Sequence, residues 1–390
     1  MEWPGRVTNK PWMGLARMGG IGDNLIAAAV LPALAEKYRV DVLTNTNFGC
    51  LFENNPYVSK LTQIPDDDIP KDSMPSWQGW FAKRAHEYEY FVNLSHSCET
   101  LVALPQSQTG FYWPEKWRRQ RCGKNYLDAI AEIVDVEPEF SKPLFYPTDE
   151  EREKAIETKA KVGERVIGWC TAGSRLDKYH PLTPIIIGRL IRELGMPVIM
   201  FGASEREKDV VKATMEHVEK ANGSIAGVHE ARNCVDADGK TPTAEWPIRR
   251  SITQLMSCDL VIGPDTGLMW GAAFEAVPKI VLLSHASPEN IVKHWKNTFA
   301  PAIDTEKAPC WPCHRLHDDI THCRPNKDHN GAACISSISA ETIISEAARL
   351  LAHEPEVKQA KGNGIDHSEA ANVFKNDWTP ATRELRTPVA

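Results

Sequence analysis

No stretch of this chain strings together the roughly 18 apolar residues that a helix needs to cross a bilayer. Its first residues also lack the basic flank, apolar run and small-residue cleavage site of a secretory signal. A cytoplasmic protein is the expectation, with peripheral contact at a membrane face left open. An excess of basic charge is missing too: 45 Lys and Arg stand against 52 Asp and Glu, a net charge of −7. That balance speaks against nucleic acid as a partner. No repeat of solenoid length recurs. Ten cysteines in 390 residues are too few for a disulfide framework. Six of them (Cys50, Cys98, Cys122, Cys170, Cys234, Cys258) are scattered, as expected of thiols packed as small hydrophobes.

What is present is alternation. At 42% hydrophobic and 25% charged residues the composition is that of a globular protein, and the length suffices for two domains with cores of their own. Pro11–Arg17, Val40–Thr44 and Val58–Ile64 read as strands. A helix over Asn24–Lys37 is expected between the first two, because Leu25, Ile26, Ala29, Val30, Ala33 and Leu34 repeat at helical spacing. Trp77–Tyr88 reads as a helix, Tyr90–Leu94 as a strand and Tyr126–Val134 as a helix. Between them, residues 105–121 interleave Phe111, Tyr112, Trp113 and Trp117 with Lys116, Arg118, Arg119 and Arg121. This reads as a loop that either binds sugar or phosphate or packs on its own domain.

Pro138, Pro143 and Pro147 punctuate a linker, and a second α/β series follows. Its strands are expected at Val166–Trp169, Pro197–Phe201, Ser224–Ala226, Asp259–Ile262 and Lys279–Leu283, with helices between and a terminal helix over 337–354. Beyond Pro355 the chain is polar and expected to be disordered. The resulting division is 1–140, a linker and first helix over 141–160, a second unit over 161–336, the helix 337–354 and a tail 355–390. Two βαβ series place ligands beyond the C-terminal ends of the strands, at the cleft between the units.

Several segments fall at those strand ends. Met18-Gly19-Gly20-Ile21-Gly22-Asp23-Asn24 opens a helix, and Gly202-Ala203-Ser204-Glu205-Arg206-Glu207 follows a strand. Asp265-Thr266-Gly267-Leu268 lies between the run Leu260–Ile262 and an Ala-rich segment. A helix start after a glycine turn aims several backbone N–H groups at one spot, with the positive end of the helix dipole behind them, which suits a phosphate. Read without further context, Asp265 and Asp23 also serve as N-caps of ordinary αβ units.

Taken in order, four motifs resemble glycosyltransferase family 9, the ADP-heptose:lipopolysaccharide heptosyltransferases. They are Arg17–Pro32, Gly173-Ser174-Arg175-Leu176-Asp177-Lys178-Tyr179-His180-Pro181-Leu182, Val198–Glu207, and Asp265–Met269 with Ala272-Ala273. The likeness spans roughly residues 12–352. It implies a GT-B fold: two Rossmann-like, doubly wound domains facing a cleft, the acceptor held mainly by the first and the nucleotide-sugar mainly by the second. It also implies inverting transfer that requires no metal, from a nucleotide-sugar donor such as ADP-heptose to a glycan or glycolipid acceptor at the cytoplasmic face of the inner membrane.

By that resemblance Asp23 is the catalytic base, with Gly20 and Gly22 forming its turn. Lys178, Asp265, Thr266, Gly267, Leu268 and Ser174 hold the donor phosphates, and Glu205 or Glu207 reaches the ribose. One position departs from the pattern: Trp270 stands where the family usually has His, and an indole has one N–H donor and accepts no proton. Two alternatives accompany the transferase reading, namely another nucleotide-sugar enzyme (epimerase or hydrolase) and a binding member without catalysis.

The remaining cysteines cluster as Cys310-Trp311-Pro312-Cys313, Cys323 and Cys334, with His314, His317, His322 and His329 interspersed. Four soft ligands, two of them in a C-x2-C turn, suit a tetrahedral structural zinc. Free thiols and a disulfide are the other two readings.

Overall fold

The computed structural model describes residues 9–70, 74–97, 101–137, 140–171, 175–202, 204–231, 248–317, 321–328 and 331–351. Ser174, residues 232–247 and those beyond 351 lie outside them.

The first half begins with β1 (Trp12–Ala16), followed by α1 (Ile21–Ala28), α2 (Leu31–Lys37), β2 (Arg39–Asn45) and β3 (Lys60–Ile64). Next come α3 (Met74–Ala85) and β4 (Tyr90–Asn93). All four strands are parallel in the order β3-β2-β1-β4, with Trp12 opposite Arg39 and Met13 opposite Tyr90. The single helix expected over 24–37 is two. Pro32, in the first turn of α2, has no N–H to continue the preceding helix, and its ring fits only a helix start.

Residues 104–121 are likewise not a plain loop. They hold a two-residue strand, β5 (Leu104–Pro105), a 3-10 turn over Thr109–Tyr112, and the helix α4 (Glu115–Arg121). Helix α5 (Tyr126–Ile133) then starts at Asn125, whose side chain accepts from the Leu127 and Asp128 N–H groups.

The second half opens with α6 (Asp149–Val162), capped by Thr148 and Glu151 in a reciprocal box. In order follow β6 (Ile167–Cys170), α7 (Thr183–Leu194), β7 (Val198–Phe201), α8 (Glu205–Asn222), β8 (Val228–Glu230), α9 (Ile248–Met256) and β9 (Leu260–Pro264). The chain continues through α10 (Gly267–Gly271), β10 (Lys279–Leu282), α11 (Pro288–Ile291), β11 (Thr298–Phe299), β12 (Arg315–Leu316), α12 (Ala333–Ser336) and α13 (Ala340–Leu350).

Six strands form a parallel sheet in the order β11-β10-β9-β6-β7-β8. Its central strands β6, β7, β9 and β10 are buried along their whole length, which explains their continuous apolar runs. The edge strand is 228–230 rather than 224–226. Helix α8 runs on to Asn222 and ends at Gly223 in the left-handed region (φ 77°), which delays the strand.

One core cluster runs through both halves. It joins Met13, Leu25, Ile26 and Leu34 to Ile199, Phe201, Val261, Met269 and Trp270. The expected linker contributes to it as well, since Leu144 and Phe145 are buried there. A second cluster lies on the other face of the six-stranded sheet and includes Ile186, Leu190, Val210, Ile262, Ile343 and Ala347. The halves are also stitched by backbone pairing, Leu104 with Arg315 and Pro105 with Leu316. No helix among the described residues is long and apolar enough to cross a membrane.

Candidate active site

The first glycine turn leaves β1 at Ala16 and enters α1 through an extended Gly20. Asp23 sits at the third position of the helix, so Gly20, not Asp23, is the cap residue. The Asp23 carboxylate reaches back: Oδ2 accepts the Gly20 N–H at 2.8 Å, and Oδ1 pairs with Arg17 Nη2 at 2.7 Å. Arg17 is 1% exposed and donates its Nη1–H to the Leu94 carbonyl at 2.9 Å, tying the turn to the end of β4. The Asp23 side chain keeps 32% of its surface open to solvent. The base expected from the motif is therefore held in one orientation by a buried cation and still reachable.

The second turn follows β9. Thr266 is extended and caps α10, whose first residue is Gly267. Asp265 is buried, and its carboxylate is fully engaged. Trp270 Nε1–H donates to Oδ1 at 3.0 Å, and Lys178 Nζ lies 3.2 Å from Oδ2 while also donating to the Asp265 carbonyl. Trp270 in turn lies parallel to Tyr126 (centroids 6.3 Å apart, planes 4° apart) and edge-on to Trp295 at 4.7 Å. The Trp270 indole thus supplies a donor to Asp265 and stacking across the halves. Asp265 orients Lys178 and Trp270 instead of presenting its own charge to a ligand.

Lys178 gets there through a 3-10 turn over Leu176–Lys178 that sends neighbouring side chains opposite ways. Asp177 is turned inward. Its Oδ2 accepts from Ser284 Oγ at 2.8 Å and lies 3.3 Å from His285 Nδ1, all three residues being buried. Burial pushes the Asp177 carboxyl up, but the His285 hydrogen bond and the charges of His285, His317 and Lys178 outweigh it and hold it down to about 2.

The two turns meet. A Cβ placed on Gly22 would stand 3.4 Å from the Gly267 Cα and 3.3 Å from the Trp270 ring. One on Gly267 would stand 2.6 Å from the Ile21 Cβ and 2.9 Å from the Gly22 nitrogen. Gly267 therefore admits the backbone of α1, and any side chain there would push the two helix starts apart. Asp23, Lys178 and Asp265 are gathered around one junction of two helix N-termini.

Other expected residues are less directly placed. The Thr266 hydroxyl is buried without a close hydrogen bond and near enough to the Cys170 thiol to influence it. Leu268 is half-buried and packs on the shared core. Glu207 caps its own helix, accepting from Ser204 N–H at 2.9 Å and Ser204 Oγ at 2.8 Å, while exposed Glu205 pairs with Lys208. Ser174 lies outside the described residues.

The expected zinc set at Cys310, Cys313, Cys323 and Cys334 does not form. Among the described residues no three His, Cys, Asp or Glu side chains stand where one ion would reach them. All four are free thiols that share a neighbourhood. Burial, then the charges of Asp177 and of neighbouring cysteines, pushes the Cys323 and Cys334 thiols well up, and burial raises Cys313 to about 12. Cys313 Sγ lies 3.8 Å from His317 Nε2, and burial holds the His317 imidazole down to about 4.

Sequence reading missed four participants. Arg17 sits at the head of the first motif, where a single charge at a strand end signals a buried partner only once Asp23 folds onto it. Tyr126 and the Ser284-His285 pair carry no local signal, because their partners lie 144 and 107 positions away (Trp270 and Asp177).

Two parallel α/β sheets with glycine turns meeting at paired helix starts make this a GT-B fold of the glycosyltransferase kind. A glycosyltransferase family 9 structure from Veillonella parvula superposes with a TM-score of 0.60 at 15% identity, over 88% of this chain and 97% of that one. The Escherichia coli ADP-heptose lipopolysaccharide heptosyltransferase II superposes with 0.54 at 13% identity, over 87% and 99%. TibC from enterotoxigenic E. coli, a dodecameric iron-containing heptosyltransferase seen with ADP-D-beta-D-heptose, superposes with 0.51 at 12% identity, over 88% and 78%. No protein-family model and no curated protein matches the sequence. The likeness to family 9 is one of fold.

Proposed function

We propose that the protein is an inverting, metal-independent glycosyltransferase that moves a sugar, heptose from ADP-heptose, onto a bacterial surface glycan such as the lipopolysaccharide core. The observation that carries this reading is the junction of the two helix starts, with an oriented, solvent-reachable carboxylate (Asp23) on one side and a Lys178–Asp265 pair on the other. In this reading residues 1–140 hold the acceptor and residues 161–336 the donor.

Asp23 takes the proton of the acceptor hydroxyl as that oxygen attacks the anomeric carbon. The bond from that carbon to the diphosphate breaks on the opposite face, inverting the centre. The leaving diphosphate is met by the Lys178 ammonium, released from Asp265, and by the N–H groups of Gly267 and Leu268 at the start of α10. Arg17 keeps Asp23 aimed, and Asp265 holds Lys178 ready. The cysteine cluster has no part in these steps.

A second reading has a specific observation behind it. Trp270 fills the place of a family His and is locked by Asp265, Tyr126 and Trp295, which suits a member that binds donor without turning it over.

A panel of ADP-, GDP-, UDP- and CMP-sugars read by thermal midpoint, followed by transfer assays, tests both. A midpoint raised by ADP-heptose, with transfer that Asp23→Asn reduces about 10²–10⁴-fold, supports the transferase. Tight donor binding with no product on any acceptor moves the conclusion to the second reading. Full turnover in Asp23→Asn overturns the assignment of the base.

A further inference from the structure

The segment between β5 and α5 is an aromatic and basic stretch that the proposed chemistry does not use. Its helix α4 does not drift on the surface. Buried Arg118 donates its Nε–H to the Cys313 carbonyl at 3.0 Å and its Nη1–H to the Trp113 carbonyl, fixing the backbone of that tryptophan. Arg119 donates to the carbonyls of Trp311 at 2.8 Å and Pro309 at 3.1 Å. Arg315, from the other side, donates to the Phe111 carbonyl at 2.8 Å and lies over the Phe111 ring. Two of the arginines of α4 are thereby spent on clamping the helix to the cysteine-rich loop of the second half.

The clamp leaves a cavity of about 490 Å³ lined by Trp113, Trp117, Gln120 and Arg121. That volume is within the range of small-molecule sites. Trp117 is 62% exposed, unusual for so large an apolar side chain. Lys116 and Arg121 pair with no carboxylate among the described residues. Two indole faces, a side-chain amide and an unneutralised guanidinium on a rigid support match one ligand chemistry. The apolar face of a pyranose ring stacks on indole, its hydroxyls bond to an amide, and a carboxylate or phosphate on it takes two parallel N–H bonds from Arg.

We propose that this cavity is a subsite for an anionic sugar, a hexuronic acid or a phosphorylated hexose, presented by the acceptor. Anionic lipid surfaces suit it less. Helix α4 has only seven residues, and its Arg118 and Arg119 are committed to carbonyls of its own half and of the cysteine-rich loop, which leaves little basic face for a lipid surface. The use of the sugar as acceptor rests on the glycosyltransferase reading, whereas its binding does not, and binding is measured without donor or turnover.

Glucuronic acid, glucose 6-phosphate, glucose and inorganic phosphate are titrated against the full chain and followed by saturation-transfer NMR and calorimetry. Both charged sugars are expected to bind at least tenfold tighter than glucose. Trp117→Ala is expected to weaken them at least tenfold. Arg121→Gln is expected to bring them down to the level of glucose, a loss of roughly 10–100-fold for one charge-assisted contact. Trp117 and Arg121 are exposed, so an unchanged thermal midpoint in both variants separates loss of binding from loss of fold. Glucose binding as well as glucuronic acid overturns the proposal. So does inorganic phosphate competing equally with unchanged affinity in Trp117→Ala, and so does Trp117-dependent binding to anionic phosphatidylglycerol vesicles that glucuronic acid fails to displace. Sugar binding that behaves as expected in a protein that transfers nothing sustains this subsite and removes only its use as an acceptor site.

Discussion

Lys178→Met separates two duties that the structure lays on one side chain. The ammonium stands 3.2 Å from Asp265 Oδ2, and the two side chains are 13% and 8% exposed. At an effective dielectric of about 20 the attraction at that distance is about 5 kcal/mol. Breaking a buried pair by removing one partner costs about 3–5 kcal/mol, since the remaining charge is left without compensation. Here the Trp270 N–H still donates to the other carboxylate oxygen, so a loss of about 2–4 kcal/mol is expected, or roughly 5–10 °C in the melting of the second half. Methionine keeps most of the length of the stem, which confines the change to the charge.

Asp265→Asn in the same chain removes the stranded charge, and the double variant is expected to regain at least half of the lost stability. Donor affinity behaves differently. If Lys178 meets the diphosphate, both the single and the double variant bind the nucleotide-sugar roughly 10–100-fold more weakly, the worth of one charge-assisted contact. Calorimetric melting and donor titration on the wild type and three variants complete the cycle. A stability loss below about 1 kcal/mol refutes the energetic argument. Donor affinity restored in the double variant refutes the assignment of Lys178 to phosphate.

Other outcomes follow from the same geometry. Arg249 joins four segments, meeting both Glu151 oxygens at 2.6 Å and the carbonyls of Cys50 at 2.8 Å and Tyr146 at 2.9 Å. Arg249→Met should cost about 2–4 kcal/mol in a denaturant melt. Burial pushes the Glu151 carboxyl up, but the Arg249 and Thr148 bonds bring it below its ordinary 4.5, so the deficit should shrink as the pH falls below that value. An equal deficit at every pH would count against the pair.

Lys279 is buried with its ammonium on the Glu275 and Val277 carbonyls, and burial holds it down to about 7 from 10.5. The folded chain has released that proton above pH 7 while the unfolded chain still holds it. Stability should therefore rise from pH 7 towards pH 9 by up to about 2–3 kcal/mol, and Lys279→Met should flatten the rise. A flat wild-type profile would remove the basis for this. Trp270→Phe keeps the stack on Tyr126 and drops the N–H to Asp265, so a loss of about 1–3 kcal/mol is expected by chemical denaturation, and no loss would mean that the bond contributes nothing.

The strands of the second half were legible because a parallel sheet covered on both faces needs apolar runs, and Ile167–Cys170 and Leu260–Ile262 are such runs. The turn that carries Asp23 was legible because a glycine turn between strand and helix is a local pattern, whereas the capping of α8 by Ser204 and Glu207 was not read, since Glu207 was taken for a ligand contact. Misreadings came where a local preference met a distant constraint. The stretch 105–121 read as a loop, yet the carbonyls of 309–313 give its arginines partners and so stabilise α4. The four thiols read as metal ligands from spacing, but spacing along a chain does not fix where the sulfurs stand, and among the described residues no three ligating side chains gather around one point.

By itself, then, the sequence determined the alternation of strands and helices, the two sheets, and the turns on which Asp23, Lys178 and Asp265 sit. These depend on residues within a few positions of one another. Only the tertiary structure decided which turns meet, that Gly267 yields its space to Ile21 and Gly22, that Arg17 pairs with Asp23, and that Trp270 is held between Asp265 and Tyr126. Contacts of that kind join residues far apart in the chain, and chain folding selects them through burial and charge pairing that no local pattern records.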